Sequence, residues 1–196
     1  MIRDWALTTR AIDPTELEDA RRVQMKLGEV PQPEDLTDML VYTSLQELAT
    51  QVAHRNTGKE LEKDKMGRRV MALVAGDEGL HHEFYSGLAT AAFEVDPSSM
   101  AIASLRQLKG FKMPGTGIPN FEEHSRHIEK AGIYDIPQFY ENVVTPTFDK
   151  WKINELTNLS DEAEVARDKV NRHLGLLARV AVRYQERKEE DQEKNT

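Results

Sequence analysis

The sequence contains no cysteine among its 196 residues. Disulfide frameworks, thiolate metal sites and cysteine nucleophiles are therefore excluded for this chain. It also lacks any apolar run approaching the roughly 18–20 residues that cross a bilayer, so no transmembrane segment is predicted. The opening residues, Met1 to Trp5, contain neither the apolar stretch nor the cleavage site of a secretory signal. These absences predict a cytoplasmic protein.

Basic residues are fewer than acidic ones. The chain has 26 Lys and Arg against 34 Asp and Glu, which gives a formal net charge of −8 at pH 7. Nucleic acids and anionic membranes attract proteins through positive charge, so no nucleic-acid partner is predicted. With 39% hydrophobic and 31% charged residues, the composition is that of a folded globular chain rather than a disordered one.

Signals that start helices recur along the chain, whereas the alternation typical of β-strands is absent. Asp13-Pro14 and Asp96-Pro97 each place a capping acid before a proline at the first helical position. We predict an all-α fold with a single domain over residues 1–188 and a charged tail over residues 189–196. The predicted helices cover residues 1–10, 14–27, 34–56, 59–94, 97–110, 121–131, 136–155 and 161–188, with a loop at 113–119.

Two acidic positions fall on helix faces that the pattern predicts to be apolar. Glu47 lies seven residues after Leu40 and seven before His54, so these three share one face of a helix. On the next long helix, Glu78 and His81 are three residues apart and project from adjacent turns in the same direction. Glu-x-x-His is the unit with which helical bundles build di-iron carboxylate sites. A second carboxylate from a neighbouring helix, such as Glu47, could bind or bridge the metal.

The same residues also have a plainer interpretation. Glu78-Gly79-Leu80-His81 is the one Glu-x-x-His of the sequence, and a chain with 34 acidic residues and six histidines can contain it by chance. Taken alone, this motif is therefore better explained as an exposed charged turn than as a metal site. Glu123 and His127, four residues apart, form a competing pair that we interpret as part of a solvated helix face. His54 lies near the predicted end of its helix and fits a cation that stabilises a helix C-terminus.

Two segments on consecutive predicted helices carry a more specific signal. Val41 to Thr50, continuing to Gly58, resembles the third metal-bearing helix of the soluble acyl-[acyl-carrier-protein] desaturases, especially those of the bacterial branch. Asp77-Glu78-Gly79-Leu80-His81 is similar to the Asp-Glu-x-x-His of the fourth, in the family's order and at about its spacing. Further similar segments are Ile2 to Trp5, Val95 to Pro97, Phe111 to Pro114 and the region around Trp151.

The resemblance implies a ferritin-like helical bundle with a di-iron centre. Enzymes of this family are homodimers that insert a cis double bond into a fatty acyl chain on acyl carrier protein, using O2 and electrons from a ferredoxin. By position, Glu47, Glu78 and His81 match iron ligands. Thr50 matches a threonine near the oxygen-binding side, and Asp77 matches an acid that orients a ligand.

The resemblance also implies that half of the ligands are missing. The family's site takes six ligands, and a Glu and a Glu-x-x-His from two earlier helices would precede the segment matched by Ile2 to Trp5. We therefore expect this chain to correspond to the C-terminal two-thirds of the family fold. Three interpretations stay open: an iron-dependent acyl-[acyl-carrier-protein] desaturase, a non-catalytic helical partner for binding or dimerisation, and a generic ferritin-like metal-binding bundle.

A carrier-protein partner requires a local basic surface, because acyl carrier proteins are acidic and this chain has a net charge of −8. Two groups of basic residues are candidates for that surface. The first consists of Lys63, Lys65, Arg68 and Arg69, and the second of Arg106, Lys109 and Lys112. Solvated helix faces explain both groups equally well.

Overall fold

The structure is a computed structural model that describes residues 1–27, 33–113 and 118–194. Within these ranges the chain is helical and contains no β-strand, which confirms the predicted all-α class. No helix in the described part of the chain is both long enough and apolar enough to cross a membrane. The helices are α1 (Ile2–Thr8), α2 (Pro14–Leu27), α3 (Leu36–Glu60), α4 (Lys65–Val95), α5 (Pro97–Gly110), α6 (Phe121–Lys130), α7 (Ile136–Phe139), α8 (Thr145–Lys150) and α9 (Asp161–Lys194).

The two long helices α3 and α4 form an antiparallel pair that organises the fold. Each begins at a capping aspartate: Asp35 accepts a hydrogen bond from the Asp38 amide, and Asp64 accepts from the amides of Met66 and Gly67. The three-residue and four-residue spacing of apolar side chains on α3 gives it one buried face. That face consists of Leu40, Val41, Leu45, Ala49 and Val52.

Helices α5, α8 and α9 close the core on the far side of this pair. Trp151 is buried between Phe93 of α4 and Phe148 of α8, with ring centroids 5.5 and 5.6 Å away. Its indole Nε1 donates to the Ser86 carbonyl oxygen at 3.3 Å, so its polar atom is satisfied. Trp5, by contrast, is only partly buried and donates to Asp64 Oδ2 at 2.8 Å at the start of α4.

The predicted helix over 136–155 is not a single α-helix. α7 and α8 are joined by a π-helical turn, Tyr140–Val144, and the chain then forms a short 3₁₀ turn at Ile153–Glu155. Pro146 lacks an amide hydrogen and cannot complete a regular ladder, which favours a local change of helix type just before it. Lys152, with a φ of 50°, ends the helical path. The sequence contains the proline but does not reveal which change of helix type accommodates it.

Other helix boundaries also differ from the prediction, and α4 begins at Lys65 rather than at residue 59. α3 continues to Glu60 rather than ending near residue 56, and α9 continues to Lys194, so much of the predicted tail over 189–196 is helical. The predicted break after α5 is present at Phe111–Met113, whereas residues 114–117 of the predicted loop lie outside the described ranges. The division of the chain at residue 188 stays a prediction.

Candidate metal centre

Glu47 on α3 and the pair Glu78 and His81 on α4 come together midway along the two helices. His81 Nδ1 lies 3.3 Å from Glu47 Oε2 and 3.2 Å from Glu78 Oε2. One possible ligand atom from each residue lies within 4.8 Å of the other two. The structure thus brings together the three residues that the sequence marks as candidate metal ligands, although they are up to 34 residues apart.

The donor set fits a divalent transition metal. Two donors that each lie about 2.0–2.2 Å from one ion are about 3.0 Å apart when they subtend a right angle at it. The separations of 3.2 and 3.3 Å around His81 are close to that value, so small side-chain rotations would suffice. Two carboxylates and one imidazole suit iron, manganese or zinc, and three ligands leave coordination positions open.

The electrostatics of the cluster also favour a cation. The Glu47 side chain is only 13% exposed, and this burial, with the adjacent Glu78 carboxyl, raises the pKa of Glu47 to about 7. The hydrogen bond to Glu78, with help from Glu47, raises the pKa of His81. Two carboxylates held together at low exposure repel each other, and a bound divalent ion would relieve that repulsion.

A fourth titratable group, His54, lies at the edge of this cluster. Its Nε2 is 3.9 Å from Glu78 Oε1, and burial lowers the pKa of its imidazole. The interpretation of His54 as a cation at a helix C-terminus is wrong, because α3 continues to Glu60 and leaves His54 inside the helix. The seven-residue spacing from Glu47, which places both on one face, is the sequence signal that points to its actual position.

A tight contact between α3 and α4 supports the cluster. Gln51, one turn beyond Glu47, donates from Nε2 to the Ala75 carbonyl oxygen at 3.2 Å. A Cβ on Gly79 would overlap the Gln51 amide, so glycine at this position lets the glutamine reach across. Both residues lie within the segments that resemble the family, but the sequence predicts no role for either of them.

The two auxiliary candidates are placed differently. Thr50 is partly buried beside Glu47, and its hydroxyl donates to the Glu47 carbonyl oxygen at 2.9 Å and to the Gln46 carbonyl oxygen at 3.1 Å. Asp77 is exposed, and within the described residues no hydrogen bond or ion pair joins it to the cluster. The roles assigned to Thr50 and Asp77 therefore stay predictions.

The competing histidines lie away from the cluster. Glu123 and His127 are both exposed on α6, as the solvated-face interpretation predicts. His82 is buried on the other side of α4, where its Nδ1 lies 2.9 Å from the Ser44 carbonyl oxygen. In neither of these two places do two carboxylates meet at one imidazole, as they do at His81.

The two candidate basic groups also differ. The first group, Lys63, Lys65, Arg68 and Arg69, is exposed around the start of α4, and no ion pair involving it occurs in the described ranges. In the second group, Arg106 is bound by three carboxylates, Glu34, Asp35 and Asp38, each at 3.1 Å. Arg106 therefore stabilises the start of α3, and Lys109 and Lys112 are left as the members of that group that face solvent.

Comparison with known proteins decides the family. The sequence profile described as fatty acid desaturase matches residues 1–196. The chain belongs to this family. DesA1 of Mycobacterium tuberculosis, assigned as an acyl-[acyl-carrier-protein] desaturase, is 37% identical over 178 residues, which cover 86% of this chain and 52% of DesA1. The resemblance to acyl-[acyl-carrier-protein] desaturases and the ferritin-like class are thereby confirmed.

Plant members of the family are more distant. The chloroplastic stearoyl-[acyl-carrier-protein] 9-desaturase of Gossypium hirsutum is 29% identical over 156 residues, covering 75% of this chain and 39% of that enzyme. Stearoyl-[acyl-carrier-protein] 9-desaturase 2 of Oryza sativa subsp. indica is 26% identical over 197 residues, covering 95% of this chain and 50% of that enzyme. The chain thus spans about half the length of the curated relatives it matches.

Proposed function

We propose that this desaturase-family chain carries one half of a di-iron centre that introduces a cis double bond into a fatty acyl chain on acyl carrier protein. The observation that supports the proposal is the convergence of Glu47, Glu78 and His81, in a chain of this family, at separations that suit a bound metal ion. When bound, the iron pair supplies the activation of O2 with electrons from a ferredoxin-type donor.

The residues of the chain would then hold the metal and manage its protons. His81 presents Nδ1 to the two carboxylates, so this nitrogen is the proposed ligand. Glu47 and Glu78 must both be ionised to bind, so the proton that Glu47 retains near neutral pH would be released as the ion enters. Thr50 is proposed to lie on the oxygen-binding side, and Asp77 to orient a ligand after a side-chain rotation.

The names of the relatives support one of the proposed partners, an acyl carrier protein. Acyl-[acyl-carrier-protein] would dock on the exposed basic group formed by Lys63, Lys65, Arg68 and Arg69, where no internal ion pair competes within the described residues. A ferredoxin-type protein would deliver electrons, and the protein would act as a homodimer. Cytoplasmic localisation belongs to the same proposal.

The test restores the part of the family fold that precedes the match. The N-terminal half of DesA1 is fused to this chain, and iron content and conversion of acyl-carrier substrates are measured with ferredoxin present. We expect desaturated product, which His81→Ala should abolish and the matched exposed variant His127→Ala should leave unchanged. A folded fusion that binds iron but desaturates no acyl chain would support the generic metal-binding bundle. A fusion that binds no iron would favour the non-catalytic helical partner.

A further inference from the structure

Two side chains reach from one long helix to the backbone of the other, one on each side of the metal cluster. His82 of α4 is 8% exposed, and its Nδ1 lies 2.9 Å from the Ser44 carbonyl oxygen of α3. Gln51 of α3 donates from Nε2 to the Ala75 carbonyl oxygen of α4 at 3.2 Å. Neither His82 nor Gln51 is a candidate ligand, so the function proposed above assigns no role to either contact.

The two contacts bracket the ligands on both helices. On α3, Glu47 lies three residues after the first contact and four residues before the second. On α4, the Glu78–His81 segment begins three residues after the second contact and ends one residue before the first. Because a helix rises about 1.5 Å per residue, each contact lies within about 6 Å of a ligand along the axis of its own helix. The ligands therefore lie in the stretch of the helix pair that hydrogen bonds hold in register.

Both contacts end on backbone carbonyl oxygens rather than on side chains. A partner side chain can rotate to follow its donor, whereas a carbonyl group inside a helix moves only with the helix. Since a carbonyl oxygen only accepts, the Nδ1 of His82 carries the hydrogen, and the amide group of Gln51 donates through its nitrogen. A displacement of one helix along the other would consequently strain both hydrogen bonds at once.

The surroundings restrict each donor to its observed partner. The Ser44 hydroxyl donates to the Leu40 carbonyl oxygen at 2.7 Å, so this hydroxyl is already satisfied within its own helix. A Cβ on Gly79 would overlap the Gln51 amide, so that amide lies directly against the backbone of α4. The register of the two helices is thus fixed at two separate points, and a helix fixed at two points can neither slide nor pivot between them.

We propose that His82 and Gln51 are positioning residues for the metal centre. Their two hydrogen bonds, called here the register clamp, set the displacement between α3 and α4 that brings Glu47 to His81. The inference rests on the proposed metal centre and adds the residues that hold its two helices in place. His81 Nδ1 lies 3.3 Å from Glu47 Oε2 across the helix pair, and ligand sets need their geometry held within about 0.5 Å. A slide by one residue, about 1.5 Å, exceeds that tolerance.

The first measurement tests the register clamp in metal-free protein. The chain contains no cysteine, so Arg55→Cys and Glu94→Cys, at exposed positions of α3 and α4, carry spin labels at defined sites. Pulsed electron paramagnetic resonance in EDTA gives the distance between the labels. We expect Gln51→Leu combined with His82→Leu to shift or widen the distance distribution by about 1.5 Å, one residue of helix rise. Gln51→Leu alone repeats the test if the double variant loses its helical circular dichroism.

The conservative variant His82→Asn distinguishes the hydrogen bond from the packing of a buried side chain. An asparagine amide nitrogen lies about as far from the backbone as Nδ1 of histidine and donates to the same carbonyl oxygen, whereas leucine fills the space without a donor. His82→Asn should therefore keep the wild-type distance distribution, and His82→Leu should not.

The second measurement is metal affinity, with Co²⁺ as the probe because its visible absorption reports both binding and ligand geometry. We expect Gln51→Leu and His82→Leu each to bind Co²⁺ at least tenfold more weakly than wild type, as when groups that orient metal ligands are removed, and His82→Asn to bind like wild type. Gln138→Leu is the matched control, since Gln138 bonds Asn56 and the Gly132 carbonyl oxygen outside the α3–α4 interface. It should lower stability and leave the Co²⁺ affinity and spectrum unchanged.

The outcomes separate the register clamp from the metal centre. Unchanged label distances in both leucine variants would overturn the clamp. Altered distances with unaltered Co²⁺ affinity would overturn the positioning role, and so would an equal loss of affinity in Gln138→Leu, because general destabilisation would then explain it. A wild-type chain that binds no Co²⁺, with label distances as expected, would overturn the proposed metal centre and the positioning role with it, and would leave the clamp as a feature of the fold.

Discussion

Asp38 is a fully buried carboxylate whose charge is balanced by a residue far along the chain. Arg106 Nε donates to Asp38 Oδ1 at 3.1 Å, and its two terminal nitrogens bind Glu34 and Asp35 at the start of α3. This fork uses the planar guanidinium in a way that lysine cannot reproduce. It ties α5 to the first turn of α3, upstream of the metal cluster.

The substitution Arg106→Met should therefore destabilise the folded protein. It leaves the Asp38 carboxylate buried without its cation, and we expect the free energy of unfolding to fall toward the lower end of about 3–5 kcal/mol, since Arg106 itself is partly exposed. Lys152→Met removes an exposed pair with Glu155 and should cost less than about 1 kcal/mol. Urea denaturation measures both. Equal losses for the two variants would contradict the structural role given to Arg106.

The raised pKa of Glu47 predicts an unusual pH dependence of the stability of the metal-free protein. Its pKa rises from 4.5 to about 7 on folding, so the folded state retains a proton that the unfolded state releases. Stability in EDTA should consequently decrease as the pH rises from about 4.5 to 7 and then level off. The raised pKa of His81 also makes stability decrease with rising pH, because the stabilising charge of the imidazolium is lost as the pH rises through the pKa of His81.

The comparison of Glu47→Gln with wild type isolates this effect. Urea midpoints at pH 5, 6, 7 and 8 should show a smaller decrease in Glu47→Gln, which has no proton to lose at position 47. The exposed variant Glu123→Gln should keep the wild-type slope. An identical slope in Glu47→Gln and wild type would show that the carboxyl ionises normally.

Between elements, the contact of Gly79 with Gln51 sets how closely α3 and α4 approach at the cluster. Alanine is favoured over glycine inside a helix by about 0.8–1.0 kcal/mol. Gly76→Ala, whose Cβ meets nothing within 4 Å, should gain about that amount of stability. The stability gained by Gly79→Ala should be smaller than that of Gly76→Ala by at least about 1 kcal/mol, because the displaced Gln51 amide loses its hydrogen bond to Ala75.

A double variant checks that explanation. Gln51→Ala combined with Gly79→Ala removes the overlap, so adding Gly79→Ala to Gln51→Ala should recover a gain similar to that of Gly76→Ala. Thermal or urea unfolding in EDTA measures the stability of the wild type and of the four variants without interference from metal. A gain in Gly79→Ala as large as in Gly76→Ala would mean that Gln51 moves aside without cost.

At the scale of the whole molecule, the proposed acidic carrier would need a local basic surface on this acidic chain. Replacing Lys63, Lys65, Arg68 and Arg69 with Ala should weaken acyl carrier protein binding to the DesA1 fusion and flatten its salt dependence, because exposed charges mainly govern encounter. The matched control replaces four exposed basic residues of α9, Lys169, Arg172, Arg179 and Arg183, and should bind as before. Stopped-flow or calorimetric titration at two salt concentrations measures the difference. Unchanged binding would move the docking surface to Lys109 and Lys112.

Local interactions explain which features the sequence determines by itself. Capping aspartates such as Asp96, and the apolar spacing of α3, act within about four residues, so the helices and the all-α class follow from neighbouring positions alone. The same holds for Glu78 and His81, whose spacing puts them on one face before any packing occurs. Similarity to a known family then pairs them with Glu47, because the linked segments preserve a long-range arrangement.

Tertiary packing alone decided the rest. The Arg106–Asp38 pair joins residues 68 positions apart, and the Gln51–Ala75 hydrogen bond depends on the register between α3 and α4. His54 belongs beside the cluster only because α3 runs on to Glu60 and α4 packs against it. Such contacts depend on how one helix is rotated and translated against another, and residue spacing along a single helix carries no information about that. The sequence therefore names the donor groups and their helices, whereas packing sets their distances, their burial and the pKa of Glu47.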